Sequence, residues 1–542
     1  MNNLALYDYV VFLIYFIVVA GYGYWVYQHK KVAGTDTKDY FLAEGSLTWW
    51  AIGSSIIASN ISAEHFIGMS GSGFAMGLAI ASYEWMAAAT LIIVAIFFLP
   101  IYLKNKIYTM PQFLSGRYNN TVSTLMAVFW LLVYVFVNLT SIFFLGALAI
   151  ETITGIPFYT CIIFLAIFSA LITLGGMKVI GYTDVIQVFV LVMGGLITCY
   201  MALHMVADKL SIKTVLGALP VLKAEAADHF HMIFPKGHKY YNELPGIAVL
   251  FGGLWINNLN YWGCNQYIVQ RALGADLKTG RSGLLFAAFL KLLIPVIVVI
   301  PGIAAYVLYQ HGYFQKEMLD AAGNVKPDHA YPVLMNLLPT GIKGLAFAAL
   351  TAAIVASLAG KCNSIATIFT LDIYKKFINP NASEAKLVTT GRLSVVVASL
   401  IAIVIAPALR SFDQVYQFIQ EYVGFISPGV LAIFLLGFFW KRTTSRAALI
   451  AALLTIPLST LFKFLPQISA GTIAEIPFLN RMSWVFCIIV AVMFVVTLTD
   501  PKSQHNPQGL EIDRKMFRVA PSFVVSSVLI CGILAALYTV FW

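Results

Sequence analysis

Charge is what this chain has least of. Only 11% of its 542 residues are Asp, Glu, Lys or Arg, against about 25% in an average soluble protein. With 60% apolar residues, it cannot cover a water-facing surface, which excludes soluble, disordered and fibrous classes. Cysteine is scarce too. Cys161, Cys199, Cys264, Cys362, Cys487 and Cys531 all lie in apolar stretches, and no two form a C-x-x-C pair. A disulfide framework is therefore not expected. No basic block is longer than two residues, although the net charge is +10; the positive residues are spread over short loops, so no nucleic-acid partner is expected. Enzyme signatures are missing as well. There is no H-x-x-H-type zinc motif of the H-E-x-x-H kind and no G-x-S-x-G, and only His65 and His204 fall in apolar segments, so catalysis is not expected. The start, MNNLALYD, has no basic region and no small-residue cleavage site before Lys30 and Lys31, so 8–28 reads as a retained spanning helix rather than a signal peptide.

What the chain does have is long apolar runs. A membrane-spanning helix needs about 20 of them in a row. Fourteen segments qualify: near 8–28, 48–71, 77–103, 120–150, 158–177, 182–207, 244–270, 281–309, 340–374, 388–408, 414–440, 444–464, 477–499 and 519–541. The expected fold class is an all-α polytopic membrane protein, not a barrel, whose apolar residues would alternate. An even count puts both termini on one side. The basic residues choose the side: Lys30, Lys31, Lys38, Lys104, Lys106, Arg117, Lys178, Arg271, Lys278, Arg281 and their counterparts in the second half all fall on the other one. The positive-inside rule then places both termini outside.

Ionisable groups inside a bilayer are costly, so each is a functional candidate. They are Glu64, His65, Glu84, Asp184, Lys291, Lys361, Asp372 and Glu421. Polar residues cluster beside some of them. Ser59 to His65 (SNISAEH), followed by Gly68, Gly71 and Gly73, makes a poor continuous helix, because Ser and Asn compete for backbone groups. Asn257 to Gln266 (NNLNYWGCNQ) interrupts a second helix. With 8–28 set aside, the two interrupted helices take corresponding places, first and sixth, in a five-plus-five set. That pattern points to a midplane substrate site in an inverted-repeat transporter. A third stretch, Ala353 to Ser364, puts the carbonyl of Ala353 and the hydroxyl of Ser357 on one helix face, four residues apart. Beside an unwound helix they could help form an oxygen cage for a hard cation; Ser357 could equally bond its own helix.

Seven motifs carry a resemblance. They are NISAEHFIGMSGSG from Asn60, SYEW from Ser82, YTDVIQ from Tyr182, YWG with NQY from Tyr261, FAAFLK from Phe286, YQFIQEY from Tyr416 and GFFWKRTTS from Gly437. In this order they resemble the sodium:solute symporter family, nearest its bacterial sodium/galactose branch, over nearly the whole chain. The resemblance implies a LeuT-type fold of two inverted five-helix repeats, 48–207 and 244–440. One extra helix (8–28) precedes them and three (444–541) follow, all in a single domain spanning 1–542. It implies sodium-driven hexose uptake by alternating access across a bacterial inner membrane. Sodium would be the co-substrate, the sugar and the bilayer the partners, with no obligate protein partner in view.

Carried over by position, the resemblance assigns the sugar site to His65, Glu84, Asn258, Lys291 and Gln420, with Asn60, Ser62 and Tyr83 nearby. Tyr261, with Trp262 beside it, would gate the inner side and Tyr416 the outer side. Sodium would take the carbonyls of Ala58, Ile61 and Ala353 and the hydroxyl of Ser357, with Asp184 close by. The chemistry suits these roles, since Glu, Gln, Asn and Lys match sugar hydroxyls that both donate and accept. Glu84 and Lys291 are expected to balance each other's charge. Three departures stand out. His65 replaces Gln and Ala87 replaces Ser relative to the galactose branch, so glucose becomes as suitable as galactose. Ala356 removes a hydroxyl beside Ser357. Lys361, one turn from Ser357, is also unexpected; its long side chain is expected to snorkel into the inner water, the alternatives being that it pairs with Asp184 or that it weakens or mimics the cation. Another neutral polyol such as myo-inositol, and proton-driven or uncoupled transport, remain the alternatives.

Overall fold

The computed structural model describes residues 4–29, 47–107, 109–173, 176–320, 323–412, 414–504, 508–510 and 512–542. Lys30, Lys31 and Lys38, used above for topology, lie outside the described residues. The architecture is helical throughout; among the described residues the extended pairing is an isolated bridge between Leu319 and Val325. Among the described residues ten helices are long and apolar enough to cross a membrane, or eleven if the bent pair Val415–Val423 and Ser427–Phe439 counts as one.

That number is smaller than the fourteen apolar segments, and the reason is local. The segment 48–71 is not one helix. Trp49–Asn60 stops where Ile61 turns extended (φ −74°, ψ 126°). No Pro or Gly is needed, because polar side chains supply the end: the amide of Glu64 donates to the Ser62 hydroxyl at 3.1 Å and starts the next helix. The chain resumes as a wide π-type turn, Glu64–Met69, and runs on through Ser70–Met76. Gly77 then turns it with φ +71°, a conformation that favours glycine. A side chain there would also strike the backbone of His229 at 2.2 Å. The expected span 244–270 breaks likewise, between Gly253–Gly263 and Gln266–Leu273, at Asn265 (φ −101°, ψ 126°). The expected 158–177 is a shorter helix, Phe158–Thr173.

The breaks themselves are buried in protein: Ile61, Ser62 and Ala63 at the first, Cys264 and Asn265 at the second. Leu277–Gln310 packs against Trp49–Asn60, Ser70–Met76, Ser82–Ile93 and Gly176–Lys209, while Ile342–Ile368 packs on Gly176–Lys209, Leu6–His29 and Glu384–Ile405. All twelve residues from Ala51 to Ser62 are buried. Interrupted backbone at membrane depth is tolerated in such a place, because protein rather than hydrocarbon surrounds it.

Candidate functional site

A cavity of about 50 Å³ lies between the breaks of the two interrupted helices. Its polar lining is Asn60, Glu64, Glu84, Asn257, Asn258 and Gln420, and its rings are His65, Tyr83, Tyr261, Trp262, Tyr267 and Tyr416. Asn138, Ile419 and Val423 complete it. At this size it holds a few waters and is smaller than a hexose.

Glu84 is the electrostatic centre. Lys291 donates to its Oε2 and also to Asn60 Oδ1. The Lys291 ammonium lies 4.8 Å from the centre of the Trp262 ring. His65 Nε2 stands 3.4 Å from Glu84 Oε1, and its Nδ1 lies 3.4 Å from the Ser62 amide, which donates to it. That contact leaves Nε2 as the protonated nitrogen, facing the carboxylate. The expected charge balance is therefore made: Lys291 is fully buried and paired. Removing one partner of such a pair costs about 3–5 kcal/mol.

Asn60 ties the two breaks together. Its Nδ2 donates to the Tyr261 hydroxyl at 2.9 Å, from the end of the first broken helix to the end of the second. Across the cavity the Tyr416 ring lies edge-on to Tyr83 at 5.7 Å and to His65 at 6.2 Å. The amide of Asn257 donates to Gln420 Oε1 at 3.0 Å. Asn258 is bound within its own helix, to the Leu254 carbonyl and to Trp262 Nε1. Two polar atoms in the wall, the Tyr83 hydroxyl and Asn257 Oδ1, are buried with no protein partner. In a dry site such atoms cost free energy unless a ligand or water meets them.

Of the residues assigned by resemblance, the structure thus brings His65, Glu84, Asn258, Gln420, Asn60, Tyr83, Tyr261, Trp262 and Tyr416 to one cavity. Lys291 and Ser62 stand behind the wall: Lys291 holds Glu84, and Ser62 donates to Glu64 Oε2 at 3.1 Å. The resemblance left out Glu64, Asn138, Asn257 and Tyr267. For Glu64 a signal existed, since it is one of the few charges in an apolar run.

The expected cation residues also converge. Ala58 and Ile61 flank the first break, and Ser357, on Ile342–Ile368, donates to the Ser59 carbonyl at 3.1 Å. Ala353 lies one turn before Ser357 on the same buried face. The last carbonyls of a helix have no intrahelical donor, so the end of Trp49–Asn60 presents free oxygens to this face. Asp184 sits one turn further along: Ser55 Oγ donates to it at 2.5 Å, and Arg271 Nη2 is 4.0 Å away. Lys361 does not snorkel and does not pair with Asp184. It is 1% exposed, and its ammonium donates to Ser357 Oγ at 2.9 Å.

The profile described as "SSF: Sodium:solute symporter family" matches residues 40–455. The chain belongs to the sodium:solute symporter family. The symporter is 47% identical to the protein named sodium/glucose cotransporter of Vibrio parahaemolyticus, over 100% of this chain and 99% of that one. It is 33% identical to sodium/myo-inositol cotransporter 2 of Mus musculus, over 81% of this chain and 67% of that one. Among solved structures, a Na+-coupled sialic acid symporter in a substrate-bound outward-open state superposes with a TM-score of 0.75 at 22% identity. The match covers 92% of this chain and 98% of the other. At that identity the likeness speaks to the fold alone.

Proposed function

We propose that the symporter imports a hexose, glucose or galactose, driven by sodium through alternating access. The observation that carries this is the cavity itself, in a chain related over its full length to a protein named for sodium and glucose. Glu84, Asn257, Asn258, Gln420 and the free Tyr83 hydroxyl offer both acceptors and donors, as a ring of sugar hydroxyls requires. Tyr261, Trp262 and Tyr416 supply flat apolar faces for the sugar's C–H faces. Because the cavity is smaller than a hexose, loading must part the Tyr416 or Tyr261 side. Lys291 acts from behind, fixing Glu84 as a charged acceptor.

Sodium would be held by the carbonyls of Ala58, Ile61 and Ala353 and the hydroxyl of Ser357. An all-oxygen set at an unwound helix suits it. We read 48–207 and 244–440 as inverted repeats, with 8–28 before and 444–541 after, fourteen crossings in all and both termini outside, in a bacterial inner membrane. The test is uptake of labelled glucose and galactose into proteoliposomes under an inward sodium gradient, against an equal potassium gradient. Sodium-dependent accumulation of either sugar, competed by the other, is expected. Equal uptake under both cations would remove sodium from the mechanism, and myo-inositol outcompeting both hexoses would reassign the cargo.

A further inference from the structure

Lys361 is a buried cation without an established task. It lies on the same face of Ile342–Ile368 as Ser357, one turn on. An ammonium only donates, so the 2.9 Å contact uses a lone pair of Ser357 Oγ, while that hydroxyl's own proton goes to the Ser59 carbonyl. The lone pair is the one a bound sodium would need. The ammonium also stands 5.1 Å from the centre of the Tyr267 ring and 3.9 Å from Glu64 Oε2. Glu64 is held by Ser141 at 2.5 Å and by Ser62 at 3.1 Å, and it lines the substrate cavity. Arg271 adds a second positive charge nearby, turned to Ser55 and Asp184.

Two cations cannot share one hydroxyl. At 4 Å and an effective dielectric of 20, like unit charges repel by about 4 kcal/mol. Sodium can reach Ser357 only if the ammonium leaves, and the carboxylate that faces it, at a distance still too long for a hydrogen bond, is Glu64. We propose that Lys361 is a tethered competitor of the transported sodium. Its ammonium occupies the Ser357 oxygen in the ion-free protein and moves onto Glu64 when sodium binds. Lys361 thereby sets the sodium concentration the symporter needs, and Glu64 carries the event to the cavity wall. The inference rests on the reading that Ser357 is a sodium ligand.

The test is a sodium titration of the melting temperature of the purified full-length protein, without sugar, at constant ionic strength with choline. Lys361→Met should lower the sodium midpoint by about tenfold or more, the ratio that 1.4 kcal/mol gives. Lys361→Ala should do the same, and serves if the Met variant does not purify as a monodisperse protein. Ser357→Ala in the Lys361→Met background should erase the gain. Glu64→Gln, which leaves the displaced ammonium without a counter-charge, should raise the midpoint. A wild type that ignores sodium beside a Lys361→Met that responds to it overturns the displacement by sodium. A midpoint unchanged or raised in both Lys361 variants, or no sodium response in either, overturns it. An unmoved midpoint in Glu64→Gln overturns the transfer onto Glu64. Since no sugar is present, failure of hexose uptake leaves this result standing, and failure here leaves the hexose assignment standing.

Discussion

At the scale of single residues, the cavity separates groups that touch a ligand from groups that hold them. Lys291 belongs to the second kind, and its removal strands Glu84 as an unpaired buried charge. Lys291→Ala should abolish sugar uptake and lower the melting temperature. The double variant Lys291→Met with Glu84→Gln should recover much of the stability and none of the transport, because the charge is gone but so is the acceptor. Robust uptake by Lys291→Ala would refute the assigned site. Tyr83 tests the first kind. Its hydroxyl has no protein partner, so Tyr83→Phe should leave the melting temperature in place. If the hydroxyl bonds sugar, the half-saturating sugar concentration should rise about fivefold or more, the range of a lost hydrogen bond in a dry site. An unchanged half-saturation would place the sugar elsewhere.

Between elements, packing at the turns fixes how the broken helices are aimed. Gly77 ends the run that begins at Glu64, and the loop helix Ala227–Phe230 lies against it. His229 stacks on Tyr306 at 3.9 Å and meets the Phe74 carbonyl through Nε2 at 2.9 Å, so Nε2 carries the proton. Burial holds the His229 imidazole below its ordinary value, although the carbonyl works the other way. The unfolded chain takes up a proton near pH 6.5 and the folded chain resists, so stability is lost as pH falls through and below that value. The melting temperature should drop between pH 7.5 and 5.5, and the drop should be shallower in His229→Phe, which keeps the ring stack but cannot titrate. Parallel drops in the two proteins would show that this contact does not govern the outer turn.

Over the whole molecule, the two interrupted helices meet through Asn60 and Tyr261, and the bent pair Val415–Val423 and Ser427–Phe439 closes the cavity with Tyr416 and Gln420. That third element is anchored outward. Glu421, next to Gln420, accepts from Arg481 and lies 3.2 Å from Lys463, and so joins the cavity wall to the helices Ser445–Ile468 and Phe478–Thr499. Arg481 is buried, and its loss leaves Glu421 tied to Lys463 alone. Arg481→Met should slow maximal uptake severalfold while changing half-saturation little, since no cavity residue is removed. A large change in half-saturation at constant maximal rate would instead make Arg481 part of the binding wall.

The sequence by itself determined the membrane class, the helical content, two of the places where helices break and the rarity of buried charge. Each depends on local composition: a bilayer demands long apolar runs, and Ser and Asn side chains compete for the backbone groups of a helix. Likeness of motifs supplied the family and most of the cavity residues. Beyond the Glu84–Lys291 pair, tertiary structure alone decided the partnerships. That Lys291 holds Glu84 from behind the cavity wall, that Asn257 rather than Asn258 meets Gln420, and that Lys361 turns to Ser357 instead of water are contacts between residues up to 207 positions apart or choices among rotamers of one helix. Residue spacing fixes a helix face. It does not fix which neighbour packs against that face, and for a buried charge the neighbour decides what the residue does.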